Sequence, residues 1–263
     1  MNNEALIRDE VLSRISLPCD LEIFDSIGST NSYAKAKGCG SVPLCVLADC
    51  QTAGRGRLGR SFASPGGTGI YLSVAKRLDI DPAASPLITM AAAVAAAEAI
   101  EDAACVSCGI KWVNDLYLGG LKVAGILVES VVTGSNALVV IGIGINCFPG
   151  SMPEELSGIA GFLSTRPGSF SRSALAGAIT DNILHMPDGK DLSSFLPEYR
   201  RRSIVPGREV VLSTFDGRPP LKALALGIAD SGALEVRYLE GPLKGETSLV
   251  TSGEVSLHLT PSE

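Results

Sequence analysis

Residues 139–146 read Val-Val-Ile-Gly-Ile-Gly-Ile-Asn, an apolar run in which Gly142 and Gly144 alternate with isoleucines. Successive side chains of a strand point to opposite faces, so this segment is a central strand with one face stripped of side chains. The freed space suits either a neighbouring element or a ligand lying on the sheet. The run is not a dinucleotide fingerprint, because Cys147 stands where a third glycine is needed and no helical pattern follows at once. A second run, Leu121 to Glu129, is apolar at nearly every residue and belongs in the middle of the same kind of sheet, covered on both faces. Lys122 interrupts it. A lysine there has three outlets: a carboxylate partner, a snorkelling route to water, or an anionic ligand.

The segment Gln51-Thr52-Ala53-Gly54-Arg55-Gly56-Arg57-Leu58-Gly59-Arg60 follows a short apolar strand, Leu44 to Ala48. It reads as a flexible solvated loop or as an anion site. Glycine is costly to order and arginines repel one another, so the combination is unfavourable until an anion neutralises the charge and takes up the backbone N–H groups. The chain as a whole carries a net charge of −6, which argues against a general nucleic-acid binder. A few cations on an acidic background point to a small anionic ligand.

The hydrophobic fraction of 46% and charged fraction of 19% describe a compact globular chain with room for one large core and a smaller module. Seven cysteines are scattered, and Cys105 and Cys108 form a lone CxxC; with His185 and His258 the only histidines, we expect reduced thiols and no structural metal. The N-terminal residues lack a signal-peptide profile, and the stretch Pro86 to Ala97 is too short to span a bilayer, so the expected location is cytoplasmic.

Helical spacing is read over residues 3–16, and Leu21 to Ile27 alternates as a strand. Gly28-Ser29-Thr30-Asn31 is a turn into a helix; capping explains one of its polar side chains and leaves two without a structural task. Ser64-Pro65-Gly66-Gly67 is a turn before a strand over Gly69 to Ala75. The alanine-rich helix Leu87 to Ala103 must pack closely on a sheet. Ile110 to Asp115 ends a strand in a polar turn. Helices follow between Ser169 and Arg202, one capped by Ser171 or Ser173 and another over Leu192 to Arg201. Pro206-Gly207 then breaks the pattern, and short strands at Glu209 to Ser213, Leu221 to Ile228, Leu234 to Leu239, Thr247 to Val250 and Val255 to Leu259 suggest a small barrel, with turns at Asp216-Gly217 and Asp230-Ser231-Gly232. The expected domains are 1–204 and 205–263.

The motifs Ser-Thr-Asn, Gln-Thr-Ala-Gly-Arg-Gly-Arg, Ser-Pro-x-Gly, Lys-Trp-x-Asn-Asp, Leu-Lys-x-Ala-Gly-Ile-Leu-x-Glu and Gly-x-Gly-x-Asn occur in this order between Phe24 and Asn146. In order and spacing the chain closely resembles the biotin protein ligases. The resemblance implies an α+β fold: a mixed sheet with flanking helices, similar to class II aminoacyl-tRNA synthetases, followed by an SH3-like barrel. It implies that ATP and biotin give biotinyl-5′-adenylate and pyrophosphate, with Mg2+ assisting, and that the adenylate acylates a lysine of a biotin carboxyl carrier domain. Ser29, Thr30, Asn31 and Gln51 would bind the ureido head. Gly54, Arg55, Gly56 and Arg57 would cover the tail carboxylate and phosphate, and Lys122 would reach both groups. Arg55, Arg57 and Lys122 are the implied catalytic residues, with Gly125, Gly142 and Gly144 leaving the sheet open beneath the ligand. Arg57, Arg60, Lys111, Trp112, Asn114, Lys122 and Asn146 would face ATP, and Asp115 the magnesium ion.

Two positions depart from the family pattern: Val113 stands where proline is common, and Phe62 replaces a tryptophan after the arginine loop. Only about twenty residues precede the first motif strand, so the expectation is a ligase without a winged-helix DNA-binding domain, and pairing into a homodimer through a sheet edge is plausible for the family. Two alternatives stand beside this reading. A lipoate-type ligase shares the fold and the strand lysine but has no use for the ureido-binding set, and a biotin-binding protein without transfer has no use for three cations.

Overall fold

The computed structural model describes residues 5–78, 85–133, 136–187, 193–213 and 219–257. Seven strands form one mixed sheet: β1 (Asp20–Ile27), β2 (Leu44–Gln51), β3 (Gly69–Leu78), β4 (Gly109–Lys111), β5 (Asp115–Leu118), β6 (Leu121–Thr133) and β7 (Asn136–Asn146), in the spatial order β1-β2-β3-β7-β6-β5-β4. Only β1 and β2 run parallel. Their crossover contains α2 (Thr30–Lys37), and the remaining neighbours are antiparallel. The glycine-alternating segment is β7, in the centre of the sheet as its sequence requires, and β6 lies beside it.

Alternation along β7 sends Val139, Ile141, Ile143 and Ile145 into the main core, whereas Val140 joins a smaller cluster with Ala34, Leu44, Val46 and Ala75 under α2. The main core is closed by α3 (Ser85–Ala104) and α4 (Arg172–Leu184). Helix α3 is buried from Met90 through Ala97. Alanine at most of these places lets the backbone approach the sheet, α4 and α5 (Leu196–Arg202) without a bulky layer between. Ser171 caps α4 by accepting from the Ala174 N–H at 3.2 Å, which selects the first of the two serines expected for that task.

The N-terminal helix is shorter than its periodicity implies. Helix α1 covers Arg8–Leu12, has no side-chain cap and leaves residues 1–4 outside the described set. Five residues cannot sustain a helix by propensity alone; instead the Ser16 N–H donates to Asp181 Oδ1 at 2.7 Å, drawing the chain onto α4.

Five more strands, β8 (Glu209–Ser213), β9 (Leu221–Ile228), β10 (Leu234–Tyr238), β11 (Thr247–Val250) and β12 (Glu254–Ser256), form a separate antiparallel sheet in the order β11-β10-β9-β8-β12. The expected strands are present, but no pairing of β11 with β12 closes them into a barrel among the described residues. The expected turn at Asp216-Gly217, together with Leu192, His258 and Leu259, lies outside the described residues. The turn at Asp230-Ser231-Gly232 is present, with Gly232 at φ +80°. No helix among the described residues is long and apolar enough to cross a membrane.

Candidate active site

A cleft of about 140 Å³ opens on the α2 face of the large sheet. Its floor is β6 and β7, where Gly125, Gly142 and Gly144 lack side chains. The space they free is only partly left to a ligand. A Cβ on Gly142 would lie 2.0 Å from Asn31 Oδ1, and one on Gly144 would lie 2.5 Å from the Phe62 ring. The two glycines thus seat an amide and an aromatic wall, so the face is occupied by neighbouring elements as well as open beneath the cleft.

One end of the cleft is a network of neutral polar groups. Gln51 Oε1 accepts from the Thr30 N–H at 2.9 Å and the Thr30 hydroxyl at 3.1 Å, and Gln51 Nε2 donates to Ser64 Oγ at 3.0 Å. Ser73 Oγ donates to Asn31 Oδ1 at 2.6 Å and lies 2.8 Å from Thr30 Oγ1. Ser29 caps α2 through the Ser32 N–H at 3.4 Å. With Ser29 as the cap, the two side chains left over are Thr30 and Asn31, and both are fixed by partners inside the protein. Ser73 was not singled out from the sequence, although a serine in the apolar strand Gly69 to Ala75 is its signal.

The arginine segment folds back as a small hairpin: Arg55 bridges Ser61, and the Gly56 N–H donates to the Arg60 carbonyl at 2.7 Å. Leu58 sits at the exposed tip with φ +60°. Gly54 stands behind the cleft, outside its wall. Its carbonyl accepts from the Phe62 N–H at 2.9 Å, and a Cβ there would meet the Phe62 carbonyl at 2.4 Å, so glycine is needed for the hairpin to close. Arg55, Gly56, Arg57 and Arg60 all line the cleft.

The other end is charged. Arg57 Nη1 donates to Asn114 Oδ1 at 2.9 Å, and Asn114 Nδ2 donates to Asp115 Oδ1 at 3.0 Å and to the Ile126 carbonyl at 3.0 Å. The Lys122 ammonium lies 2.7 Å from the same Asp115 oxygen. Of the three outlets open to Lys122, the carboxylate partner is present, and the side chain is also partly exposed. The arrangement is a relay of Arg57, Asn114, Asp115 and Lys122 in which each cation has an acceptor that an arriving anion can displace. Lys111 and Trp112 complete this end. Trp112 is buried, its Nε1–H donates to the Gly232 carbonyl at 3.0 Å, and the Trp112–Val113 peptide is cis. The buried Tyr199 hydroxyl donates to the Val113 carbonyl at 3.3 Å.

Asn146 does not reach the cleft. It is buried at the end of β7, where its carbonyl accepts from the Leu163 N–H at 3.0 Å. Conversely, Gly253, in the turn before β12, and Val255 of β12 line the cleft, a contribution with no local sequence signal. Glu129 was also missed. Its carboxylate takes Asn31 Nδ2 at 3.2 Å and Lys35 Nζ at 3.0 Å and faces Arg55 Nη1 at 3.5 Å. Burial pushes the Glu129 carboxyl up, but the hydrogen bonds from Lys35 and Asn31 and the charge of Arg55 outweigh it and hold the group below the usual carboxylate range. Among the described residues no cluster of three or more metal-ligating side chains occurs.

Residues 24–146 match the model of the biotin/lipoate A/B protein ligase family, and residues 207–258 match that of the biotin protein ligase C-terminal domain. The chain is 35% identical over 230 residues to the bifunctional ligase/repressor BirA of Bacillus subtilis, an alignment covering 82% of this chain and 69% of that protein. It is 28% identical over 267 residues to the biotin–[acetyl-CoA-carboxylase] ligase of Mycobacterium tuberculosis, covering 98% of this chain and 96% of the other. Among solved structures, the biotin protein ligase of Aquifex aeolicus in complex with biotin and ATP superposes with a TM-score of 0.70 at 25% identity, covering 90% of this chain and 97% of that one. With both family models matching and a relative 35% identical over 69% of its length, the chain belongs to the biotin/lipoate A/B protein ligase family.

Proposed function

We propose that this cleft activates biotin with ATP, giving biotinyl-5′-adenylate and pyrophosphate, and then transfers the biotinyl group to a lysine of a biotin carboxyl carrier domain. One observation carries the reading: a neutral network of Gln51, Thr30 and Asn31 and a cationic set of Arg55, Arg57 and Lys122 line a single cleft. A ureido group needs donors and acceptors without charge, whereas a carboxylate approaching an α-phosphate needs fixed cations. Relatives whose names specify biotin ligation support the same substrate.

In this reading the biotin head sits against Gln51 and Thr30, its body lies over Gly142 and Gly144 beside Phe62, and its carboxylate reaches Lys122 and the arginine hairpin. Lys122 exchanges Asp115 for the reacting carboxylate and phosphate oxygens, which offsets the charge that builds as the two anions meet. Arg57, released from Asn114, holds the phosphate, and Arg60, Lys111 and Trp112 flank the nucleotide. Magnesium binds commonly through one or two carboxylates together with substrate phosphates. Asp115, the carboxylate lining the cleft among the described residues, would hold an ion that arrives with ATP, which would supply charge neutralisation of the phosphates.

The chain divides into a chemical unit, 1–204, and a C-terminal unit, 205–263, that supplies Gly253 and Val255 to the cleft. A cytoplasmic location and a homodimer formed along a sheet edge belong to the same reading.

The decisive measurement is acid-dependent ATP–pyrophosphate exchange on the wild type and on Lys122→Ala. Exchange with biotin and not with lipoate, lost on substitution, is the expected result. Exchange with lipoate alone would make the protein a lipoate-type ligase, and none with either acid would reduce it to a binder.

A further inference from the structure

We infer that Glu129 is a positioning residue that sets the two ends of the biotin subsite, Asn31 and Arg55, in register with one another. The inference rests on the reading of the cleft as a biotin site. Glu129 itself does not line the cleft. Its side chain is 15% exposed, within the floor strand β6 opposite Val140, and both of its oxygens are engaged: Oε2 by Asn31, Oε1 by Lys35 and Arg55.

The geometry makes the carboxylate hard to replace. Asn31 is held from the other side, since its Oδ1 takes the Ser73 hydroxyl at 2.6 Å and rests on the bare surface of Gly142. That bond fixes which face of the amide is oxygen, so Nδ2 must point at acceptors, and those present are the Leu127 carbonyl at 3.3 Å and Glu129. Arg55 belongs to the hairpin and its side chain is 48% exposed, with Glu129 as its counter-charge. Lys35 shares the same oxygen. Without the negative charge, Lys35 and Arg55 are left as like charges across the vacated position, which drives the hairpin outward. A neutral glutamine keeps the shape but loses the charge and must turn its NH2 either to Asn31 or to Lys35 and Arg55 together, all of them donors.

The expected behaviour of Glu129→Gln is a rise of about tenfold in the KM for biotin, since hydrogen bonds to charged groups are worth that much in binding, with a smaller rise in the KM for ATP because the released hairpin also carries Arg57 and Arg60. In a cycle with Arg55→Ala the two increases in KM should fail to multiply, because both remove the same anchorage. Glu129→Asp, which restores charge at shorter reach, should recover part of the loss. A second readout needs no substrate: limited trypsin digestion of the ligand-free protein, with peptides mapped by mass spectrometry. Cleavage after Arg55, Arg57 or Arg60 should be several-fold faster in Glu129→Gln, with cleavage elsewhere unchanged.

Equal hairpin cleavage in the two proteins, or a uniform fall in kcat with an unchanged KM, would overturn the assignment. If the wild type shows no biotin-dependent exchange, the functional reading fails, while the digestion still decides whether Glu129 holds the hairpin.

Discussion

Lys122 and Asp115 face one another across the hairpin of β5 and β6, with the ammonium 2.7 Å from the carboxylate and both side chains less than one-third exposed. Such a pair stores the lysine charge beside the place where it is needed, at a position where solvent screening is incomplete. Asp115 is also the only carboxylate lining the cleft among the described residues. Holding Lys122 and meeting the proposed magnesium ion would therefore be competing uses of one group.

Asp115→Asn separates them. We expect the magnesium concentration for half-maximal exchange to rise several-fold, with kcat falling at saturating magnesium because Lys122 is no longer oriented. A magnesium titration with unchanged midpoint would confine Asp115 to the lysine pair.

The bare floor gives two contrasting substitutions. Gly142→Ala puts a Cβ 2.0 Å from Asn31 Oδ1, whose amide is buried and bonded on both sides. The amide must leave, at a cost of ~1–3 kcal/mol and with loss of measurable biotin binding. Gly144→Ala meets the Phe62 ring at 2.5 Å instead. Phe62 is half-buried and can swing, so stability should fall by less than ~1 kcal/mol while biotin affinity drops about tenfold. Calorimetric titration and thermal melts on both variants check the order; Gly144→Ala being the less stable of the two would contradict it.

Trp112→Phe removes the N–H that ties the polar turn to the smaller sheet at Gly232. The carbonyl is left buried without that donor, so destabilisation of ~1–2 kcal/mol is expected in urea unfolding. Because Trp112 also lines the cleft, at the end proposed to take the nucleotide, the KM for ATP should rise with little change in that for biotin. A variant as stable as the wild type would show that the bond contributes nothing.

Glu198 supplies a pH-dependent term. The Arg201 hydrogen bond is the main influence, and against the opposing effect of burial it and Arg202 lower the carboxyl from 4.5 to about 2. A lowered carboxylate contributes stability that is present above its unfolded value and is lost as pH falls through its folded value. The stability difference between wild type and Glu198→Gln should thus be constant above pH 4.5 and shrink between 4.5 and about 2. Denaturant midpoints that differ by the same amount across that range would exclude the pairing as a source of stability.

Much of the fold is legible in order of residues alone. The Ile-Gly-Ile-Gly-Ile alternation of β7 requires a central strand, the alanines of α3 require close packing, and Pro206-Gly207 marks where the second sheet begins. The cations of the site are legible for the same reason: charge and glycine are local properties of Arg55 to Arg60. Partnership is not. Asn31 and Glu129 are 98 residues apart, Arg57 and Asn114 are 57 apart, and Trp112 reaches Gly232 across 120. Each of these contacts depends on strand order and register, which local spacing does not encode. The sequence by itself determined the elements and the charges they carry. Only the tertiary structure decided which acceptor holds each cation, because a hydrogen bond or ion pair exists only where folding brings two groups within about 3 Å.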